Sequence, residues 1–343
     1  MSIREYLKTV ARGENLTFEE ARDLSNELMA GEIDPIQVSG LLVGLKVKGE
    51  TCDEISGFAR GLKLNAIKLS PKRTGFYDIV GTGGDGADTF NISTTCAFVL
   101  SGAGLNIAKH GNRSISSQCG SSDVLDHLGV NIHGTPQCIE EQLSTMGLAF
   151  IYAPLAHPSM KNVMQVRKNL GIPTIFNIIG PLANPLAVEG QYIGVFSPSL
   201  VEVMARSMIR LGVSKGAVVH GFGGLDEASL EGENRVAFVR NGRIETRKIA
   251  ASDFGLMRAD NRFLKGGAAP RNADMLKRVL EGERGPGRDV VLLNAGIALY
   301  AFDEARSIQE GIKLAARSID EGKAMGKLQE LIALSNRSGV CHG

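Results

Sequence analysis

The first 70 residues carry hydrophobic positions at helical spacing. Thr17 with Glu20 three positions later is typical of a capping box at the start of a helix. Asp34 followed by Pro35 is typical of a second helix start. The segment 36–47 is apolar on most faces, so we expect it to be buried or to lie at an interface. The pattern predicts that residues 1–69 are wholly helical.

From about residue 75, apolar runs typical of strands alternate with amphipathic segments. The predicted strands are FYDIV (76–80), LNIAKH (105–110), LAFIYA (148–153), QYIGVF (191–196) and GAVVH (216–220). The predicted helices between them cover about 93–103, 121–129, 135–147 and 199–211, and the chain from 270 onward is again helical. This alternation predicts an α/β fold with a mostly parallel central sheet and flanking helices.

One segment, residues 157–190, interrupts the alternation. It has helical periodicity and then a Gly/Pro-rich stop with Gly180, Pro181, Asn184 and Pro185, which favours a stiff connection over a flexible linker. We expect it to return the chain to the helical region. The predicted division is a small helical domain, 1–70 with about 165–190, and a large α/β domain, 71–164 with 191–343.

Composition excludes several classes of protein. The 343 residues are 43% hydrophobic and 22% charged with a net charge of +1, which is ordinary for a globular enzyme and argues against nucleic acid as a partner. No apolar run reaches the ~18 residues of a membrane span. The five cysteines are scattered without C-x-x-C spacing, which favours a cytoplasmic location and argues against a disulfide framework or a zinc site.

The loop GTGGDGADTFNIST (81–94) follows the first predicted strand and contains the G-x-G-x-x-G spacing of dinucleotide sites. Such a site needs an acid at the end of the second strand, where this chain instead has Lys109 and His110. The Walker pattern is also absent. Two interpretations remain: a glycine turn before an ordinary N-cap, or a phosphate-binding loop in which Asn91, Ser93 and Thr94 start a helix. Asp85 would then accept from ribose hydroxyls or act through a metal.

Two further strand ends carry polar loops. KHGNRSISSQCGSS (109–122) is dense in hydrogen-bond donors, at the edge where open α/β sheets bind ligands. GFGGLDE (221–227) places Asp226 beside Glu227. Adjacent carboxylates often merely face water; opposite a polyphosphate they are plausible Mg²⁺ ligands, with Ser93 supplying a hydroxyl from the other side.

Together these loops resemble those of anthranilate phosphoribosyltransferases. The matching motifs span essentially the whole chain: GTGGD (81–85), NIST (91–94), KHGNRSISS (109–117), the G-x-x-DVL run (120–125), HPSMK (157–161), IFNIIGPLANP (175–185), HGFGGLDE (220–227) and LLNAGIALY (292–300). Pyrimidine nucleoside phosphorylases share the fold, but their resemblance is much weaker. A family-like protein that binds nucleic acid or another polyanion is a second rival, and the Asp226–Glu227 pair and near-neutral charge count against it.

The resemblance implies an activity, a cofactor and a site. The activity is transfer of the phosphoribosyl group from phosphoribosyl pyrophosphate to anthranilate, with Mg²⁺ and without a strong general base, in a homodimer formed through the helical domain. The fold implied is that of nucleoside phosphorylases and phosphoribosyltransferases. The implied donor ligands are Gly81, Gly84, Asp85, Thr89, Asn91, Ile92, Ser93, Thr94, Lys109, His110, Gly111, Asn112, Arg113, Ser114, Ile115, Ser116, Ser117 and Ser121. The implied anthranilate ligands are Gly81, His110, Asn112 and Arg167, and the implied metal ligands are Ser93, Asp226 and Glu227.

Two positions depart from the family pattern. Asn162 stands where the family often has His or an aromatic residue, and Phe238 stands where an acid is common. Neither is an expected ligand, so the resemblance still predicts activity, with altered tuning of the anthranilate channel. On sequence alone Arg167 is equally compatible with an ordinary surface arginine.

Overall fold

The computed structural model of the chain describes residues 1–113 and 119–337. Four helices come first: α1 (Ile3–Ala11), α2 (Phe18–Ala30), α3 (Pro35–Lys48) and α4 (Cys52–Leu64). The two predicted helix starts are confirmed. Thr17 and Glu20 form a capping box, and Asp34 accepts from the N–H of Ile36 ahead of Pro35. The predicted helical region 1–69 ends earlier than expected: α4 stops at Leu64 and residues 66–71 lack regular structure.

Within the described residues, seven strands form one sheet in the order β3-β2-β1-β4-β5-β6-β7. The strands are β1 (Phe76–Gly81), β2 (Asn106–Gly111), β3 (Leu148–Tyr152), β4 (Gly190–Gly194), β5 (Lys215–His220), β6 (Asn234–Arg240) and β7 (Arg243–Ile249). The first five in this order pair in parallel, and β6 and β7 add an antiparallel hairpin at one edge. The predicted mostly parallel sheet is confirmed, whereas the hairpin has no counterpart in the sequence-based prediction.

The remaining helices cover both faces of the sheet. They are α5 (Ile92–Gly102), α6 (Ser121–His127), α7 (Pro136–Thr145), α8 (Ala153–Ala156), α9 (Lys161–Leu170), α10 (Leu200–Arg210), α11 (Ala269–Leu280), α12 (Pro286–Ala301), α13 (Ile308–Asp320) and α14 (Lys323–Ser335). Alternate strand residues enter different cores. Ile79 and Tyr192 pack in the core that contains α5 and α12, while Val80 and Ile193 pack in the core that contains α10 and the N-terminal helices.

The interrupting segment does return to the helical region. α9 packs against α2 and α3, and Asn162 on α9 donates to the carbonyl of Met29 at the end of α2 (2.7 Å). Two short turns, Ile175–Asn177 and Gly180–Ala183, then lead back to β4. Position 162, one of the two departures from the family pattern, therefore makes an interhelical contact.

Two smaller observations complete the fold. Phe238, the other departure, is buried in β6 with its ring edge-to-face against Tyr300 of α12. Cys52, Cys96 and Cys119 are free thiols. None of the described helices combines the length and apolarity needed to cross a membrane.

Candidate functional site

The glycine loop after β1 lies directly against the acidic loop after β5. The N–H of Gly83 donates to Oδ2 of Asp226 at 2.7 Å, and a Cβ built on Gly81 would lie 2.2 Å from the same oxygen. Only glycine leaves room for that approach. Gly83 and Gly84 also adopt left-handed φ angles of 64° and 78°, which other residues rarely take. These glycines therefore bring the glycine loop (81–94) and the acidic loop (221–227) together.

Three carboxylates meet where these loops touch. Each of Asp85, Asp226 and Glu227 offers an oxygen, and the three oxygens lie within 4.8 Å of one another. Burial and the charge of Asp226 raise the pKa of Asp85 to about 6, and the same two causes raise the pKa of Glu227 well above its ordinary value. Within the described residues, Oδ2 of Asp85 and Oε2 of Glu227 are buried without a hydrogen-bond partner. Such crowding of acids is stable only with a proton or a cation between them.

Lys109 brings a buried positive charge to the same edge of the sheet. Its Nζ donates to the carbonyl of Ile79 in β1 (2.6 Å) and to Oγ of Ser93 at the start of α5 (3.4 Å). Burial lowers the pKa of Lys109, while Asp78 and Glu227 act in the opposite direction. Lys109 and Ser93, both expected to bind the donor, therefore lie beside each other.

The start of α5 differs from a simple capped helix. Asn91 makes no side-chain cap to the helix; its Nδ2 instead donates to the carbonyl of Cys119, across the second loop, at 3.3 Å. Thr94 keeps a buried hydroxyl that has no partner among the described residues. Ile92 is fully buried and its N–H donates to the carbonyl of Phe90, so it offers a ligand neither a side-chain donor nor a free amide.

The second loop, residues 109–122, is described only in part. Ser114, Ile115, Ser116 and Ser117 lie outside the described residues. Oγ of Ser121 donates to the carbonyl of Asn112 (3.2 Å), and a Cβ on Gly111 would lie 2.5 Å from that hydroxyl. Arg113 forms ion pairs with Asp123 and Asp126 of α6, so its guanidinium stabilises α6.

Arg167 and His110 both border the connection between α9 and β4. The Arg167 guanidinium lies 5.4 Å from the ring centre of Phe176 and 3.5 Å from Oδ1 of Asn177. Burial lowers its pKa, and none of the described carboxylates pairs with it. Nδ1 of His110 is 3.2 Å from the carbonyl of Gly180, and its buried Nε2 has no partner in the described part of the chain. A half-buried guanidinium without an acid is a ready partner for a ligand carboxylate.

Some supporting residues escaped the sequence analysis. Asn294 of α12 accepts from the N–H of Ala228, next to the acidic pair, and donates to the carbonyl of the same residue (2.8 and 2.9 Å). Asp78 in β1 accepts from the N–H of His110 and from Nδ2 of Asn184 (3.2 and 2.9 Å). Asn294 and Asp78 are each a single polar residue within an apolar run, and this was the only sign in the sequence of their supporting role.

Comparisons with known proteins show the family to which the chain belongs. Residues 73–325 match the family model for the glycosyl transferase family, a/b domain, and residues 4–65 match that for its helical bundle domain. An anthranilate phosphoribosyltransferase of Pelotomaculum thermopropionicum is 48% identical over 330 residues, with 96% of each chain covered. One from Bacillus cereus is 46% identical, with 97% of this chain and 98% of the relative covered. The chain belongs to the anthranilate phosphoribosyltransferase family.

Solved structures of anthranilate phosphoribosyltransferases share the fold. The Thermus thermophilus enzyme superposes with a TM-score of 0.92 at 40% identity, covering 97% of this chain and 99% of that one. The Saccharomyces cerevisiae enzyme in complex with PRPP and Mg superposes with a TM-score of 0.87 at 28% identity, covering 97% of both chains. The predicted fold class, a small helical domain with a larger α/β domain, is confirmed.

Proposed function

We propose that the chain transfers the 5-phosphoribosyl group of phosphoribosyl pyrophosphate to the amine of anthranilate, giving N-(5-phosphoribosyl)anthranilate and pyrophosphate in tryptophan biosynthesis. The observation that carries the proposal is the meeting of three carboxylates, two buried and one partly buried, with Lys109 and the start of α5 at one edge of the sheet. That arrangement provides both a cation site and anion-binding groups, which a metal-bound pyrophosphate requires. Membership of the family supports the choice of substrates.

The donor would lie between the first and second loops. Its pyrophosphate would lie against Ser93 and Thr94 at the start of α5 with Lys109 on the same side, because Nζ of Lys109 donates to Oγ of Ser93. The other donor-binding residues proposed on the family resemblance within the described residues are Gly81, Gly84, Asp85, Thr89, Asn91, His110, Gly111, Asn112 and Ser121.

The residues at the acidic cluster fit Mg²⁺. Magnesium prefers oxygen ligands and is commonly held by one or two carboxylates together with substrate phosphate, and two buried carboxylate oxygens here lack partners in the described structure. We assign Asp226 and Glu227 as ligands together with Ser93, and the position of Asp85 allows it to take part. Bound there, Mg²⁺ would offset the charge of the departing pyrophosphate.

Anthranilate would lie near the connection between α9 and β4. Arg167 would pair with its carboxylate, since the guanidinium faces no described acid. His110, Asn112 and Gly81 would border the acceptor on the side of the donor ribose. His110 is anchored to Gly180, and Arg167 contacts Phe176. The contacts of both side chains with anthranilate would therefore depend on the geometry of the connection between α9 and β4.

Catalysis would rest on positioning and charge. An aromatic amine attacks as the free base, so the mechanism requires no strong general base, and none is assigned. Lys109 and the amides at the start of α5 would stabilise the charge that develops on the leaving group. Closure of the helical region over the sheet would exclude water, which competes with anthranilate for the ribose carbon.

The proposal extends to domains, assembly and location. The small domain would comprise residues 1–70 together with the connection up to about 190. We begin that second part at Lys161, since a boundary at 165 would fall inside α9. A homodimer formed through α3 fits the strong exposure of Ile36 (82%) and Val47 (83%) on one side of that helix. A cytoplasmic location stays a prediction from the sequence.

Two assays separate this proposal from its rival, a pyrimidine nucleoside phosphorylase. The purified chain is incubated with anthranilate, phosphoribosyl pyrophosphate and Mg²⁺, and separately with thymidine or uridine and phosphate. We expect phosphoribosyl-anthranilate, detected by mass, in the first mixture and no free base in the second. Phosphorolysis without anthranilate turnover would sink the proposal.

A further inference from the structure

A segment remote in sequence, residues 264–272, holds the glycine loop from outside. The N–H of Phe90 donates to the carbonyl of Leu264 (2.9 Å), and the N–H of Gly266 donates to the carbonyl of Asp88 (2.8 Å). Between these bonds Thr89 forms an antiparallel bridge with Lys265. The stretch leading into α5 is thus paired like a short strand, with a partner that no motif of the site contains.

Asn272 connects this segment to the start of α5. It is 1% exposed. Its Oδ1 accepts from the N–H of Gly267 (2.8 Å), and its Nδ2 donates to Oδ1 of Asn91 (3.0 Å). The Nδ2 of Asn91 then donates to the carbonyl of Cys119 (3.3 Å).

The direction of this chain of hydrogen bonds is fixed at both ends. A backbone N–H can only donate, so Oδ1 of Asn272 must face Gly267 and its Nδ2 must face Asn91. A backbone carbonyl can only accept, so Asn91 must present its Nδ2 to Cys119. The two amides therefore have one consistent orientation, and it joins the first loop to the end of the second.

We infer that Asn272 is a positioning residue for donor binding that acts through Asn91. Asn91 does not cap α5, so its side chain is held by Asn272 and Cys119. Asn91 lies two residues before Ser93 and three before Thr94, and its orientation sets the helix start against which the pyrophosphate lies. This inference rests on the proposed function and deepens it, since it concerns the same donor site.

The sharpest variant is Asn272→Asp, which conserves shape and leaves no cavity. One carboxylate oxygen still accepts from Gly267, but the other now faces Oδ1 of Asn91. If Asn91 turns to donate to it, an oxygen then faces the carbonyl of Cys119. In either arrangement one hydrogen bond of the series that links Gly267, Asn272, Asn91 and Cys119 is lost. We expect the dissociation constant for phosphoribosyl pyrophosphate with Mg²⁺, measured by calorimetry without anthranilate, to rise about tenfold, and the KM for anthranilate to change by about twofold or less.

Ser318→Ala is the matched control. Its buried hydroxyl donates to the carbonyl of Val99 on α5 (2.7 Å), so the control removes a buried hydrogen bond from the same helix, far from Asn91. We expect it to lower the melting temperature without changing donor affinity. If both Asn272→Asp and Asn272→Ala unfold while the control folds, Asn272 supports the fold as a whole and the inference is overturned.

A double-variant comparison tests the route through Asn91. Asn272→Asp should weaken donor binding about tenfold in the native background and only slightly in an Asn91→Ala background, because the group through which it acts is gone. Equal losses in both backgrounds would overturn the inference. The wild-type chain is assayed for anthranilate turnover alongside. An inactive wild type contradicts the proposed function, whereas an active wild type with unchanged donor affinity in Asn272→Asp contradicts only this inference.

Discussion

Two adjacent residues, Asp226 and Glu227, supply the carboxylates proposed to bind Mg²⁺. Both are 7% exposed and crowd against Asp85. We expect the double substitution Asp226→Asn with Glu227→Gln to cut turnover on the order of a hundredfold or more and to raise the Mg²⁺ concentration needed for half-maximal rate. A magnesium titration of steady-state rates checks this, with the exposed pair Asp253→Asn and Glu245→Gln as control. An unchanged magnesium requirement would remove the metal assignment.

Arg167 provides the corresponding test on the acceptor side. Arg167→Ala removes a half-buried charge that faces no described acid, and we expect the KM for anthranilate to rise about tenfold with a smaller change for the donor. Arg167→Lys should restore only part of the loss, because an ammonium cannot make the paired hydrogen bonds of a guanidinium. Steady-state kinetics with each substrate varied in turn measures both. Equal losses for the two substrates would argue against this role.

The sequence predicted those residues of the proposed site that lie at the ends of strands. Asp85, Lys109 and the Asp226–Glu227 pair each follow an apolar run, and in a parallel sheet such ends share one edge. Asp78, Asn272 and Asn294 could not be assigned that way. Their roles depend on partners distant in sequence, such as Asn184 for Asp78 and Ala228 for Asn294.

Among the elements, the connection between α9 and β4 is held to the sheet in part by the buried side chain of Asn184. Asn184 donates to Oδ2 of Asp78 (2.9 Å) and to the carbonyl of Ala108 (2.8 Å), and accepts from the N–H of Leu186 (3.0 Å). We expect Asn184→Ala to lower the free energy of unfolding on the order of 3 kcal/mol, because it leaves a buried carboxylate without one of its donors. Urea denaturation followed by circular dichroism measures this loss.

The exposed Asn169→Ala on α9 is the control for that experiment. It should leave the midpoint of the urea transition unchanged. If Asn184→Ala shifts the midpoint no more than this control does, the hydrogen bonds of Asn184 do not stabilise the connection.

The sequence predicted an element correctly where the hydrophobic periodicity and the length of the segment indicated the same type of element. The five parallel strands and α5, α6, α7 and α10 lie within a few residues of the predicted positions. The hairpin of β6 and β7 was missed, although Asn241 and Gly242 between them adopt positive φ angles of 47° and 75° and Asn-Gly favours a two-residue hairpin turn. The charged, exposed sequence of β7 lacks the apolar alternation used to recognise the other strands.

At the scale of the whole molecule, α3 presents an apolar face to the outside. Ile36 and Val47 are 82% and 83% exposed and lie eleven residues apart, which at 3.6 residues per turn places them on one side of the helix. We expect Ile36→Glu with Val47→Glu to convert the proposed dimer into a monomer with its fold intact, because like charges would be buried in the interface. Sedimentation equilibrium measures the mass.

Met257→Glu is the control for assembly. It places a charge on an apolar side chain of similar exposure, 79%, outside the helical region. It should leave the assembly state unchanged. A native chain that sediments as a monomer, or a double variant that stays dimeric, would contradict an interface on α3.

The central claim is that this site joins anthranilate to a phosphoribosyl donor with the help of Mg²⁺. Its most direct test is the fluorescence of anthranilate when the chain is mixed with phosphoribosyl pyrophosphate and Mg²⁺. We predict that the fluorescence falls in proportion to the donor added, and that a chelator stops the fall until Mg²⁺ is restored. Fluorescence that stays constant with donor and Mg²⁺ present would contradict the account.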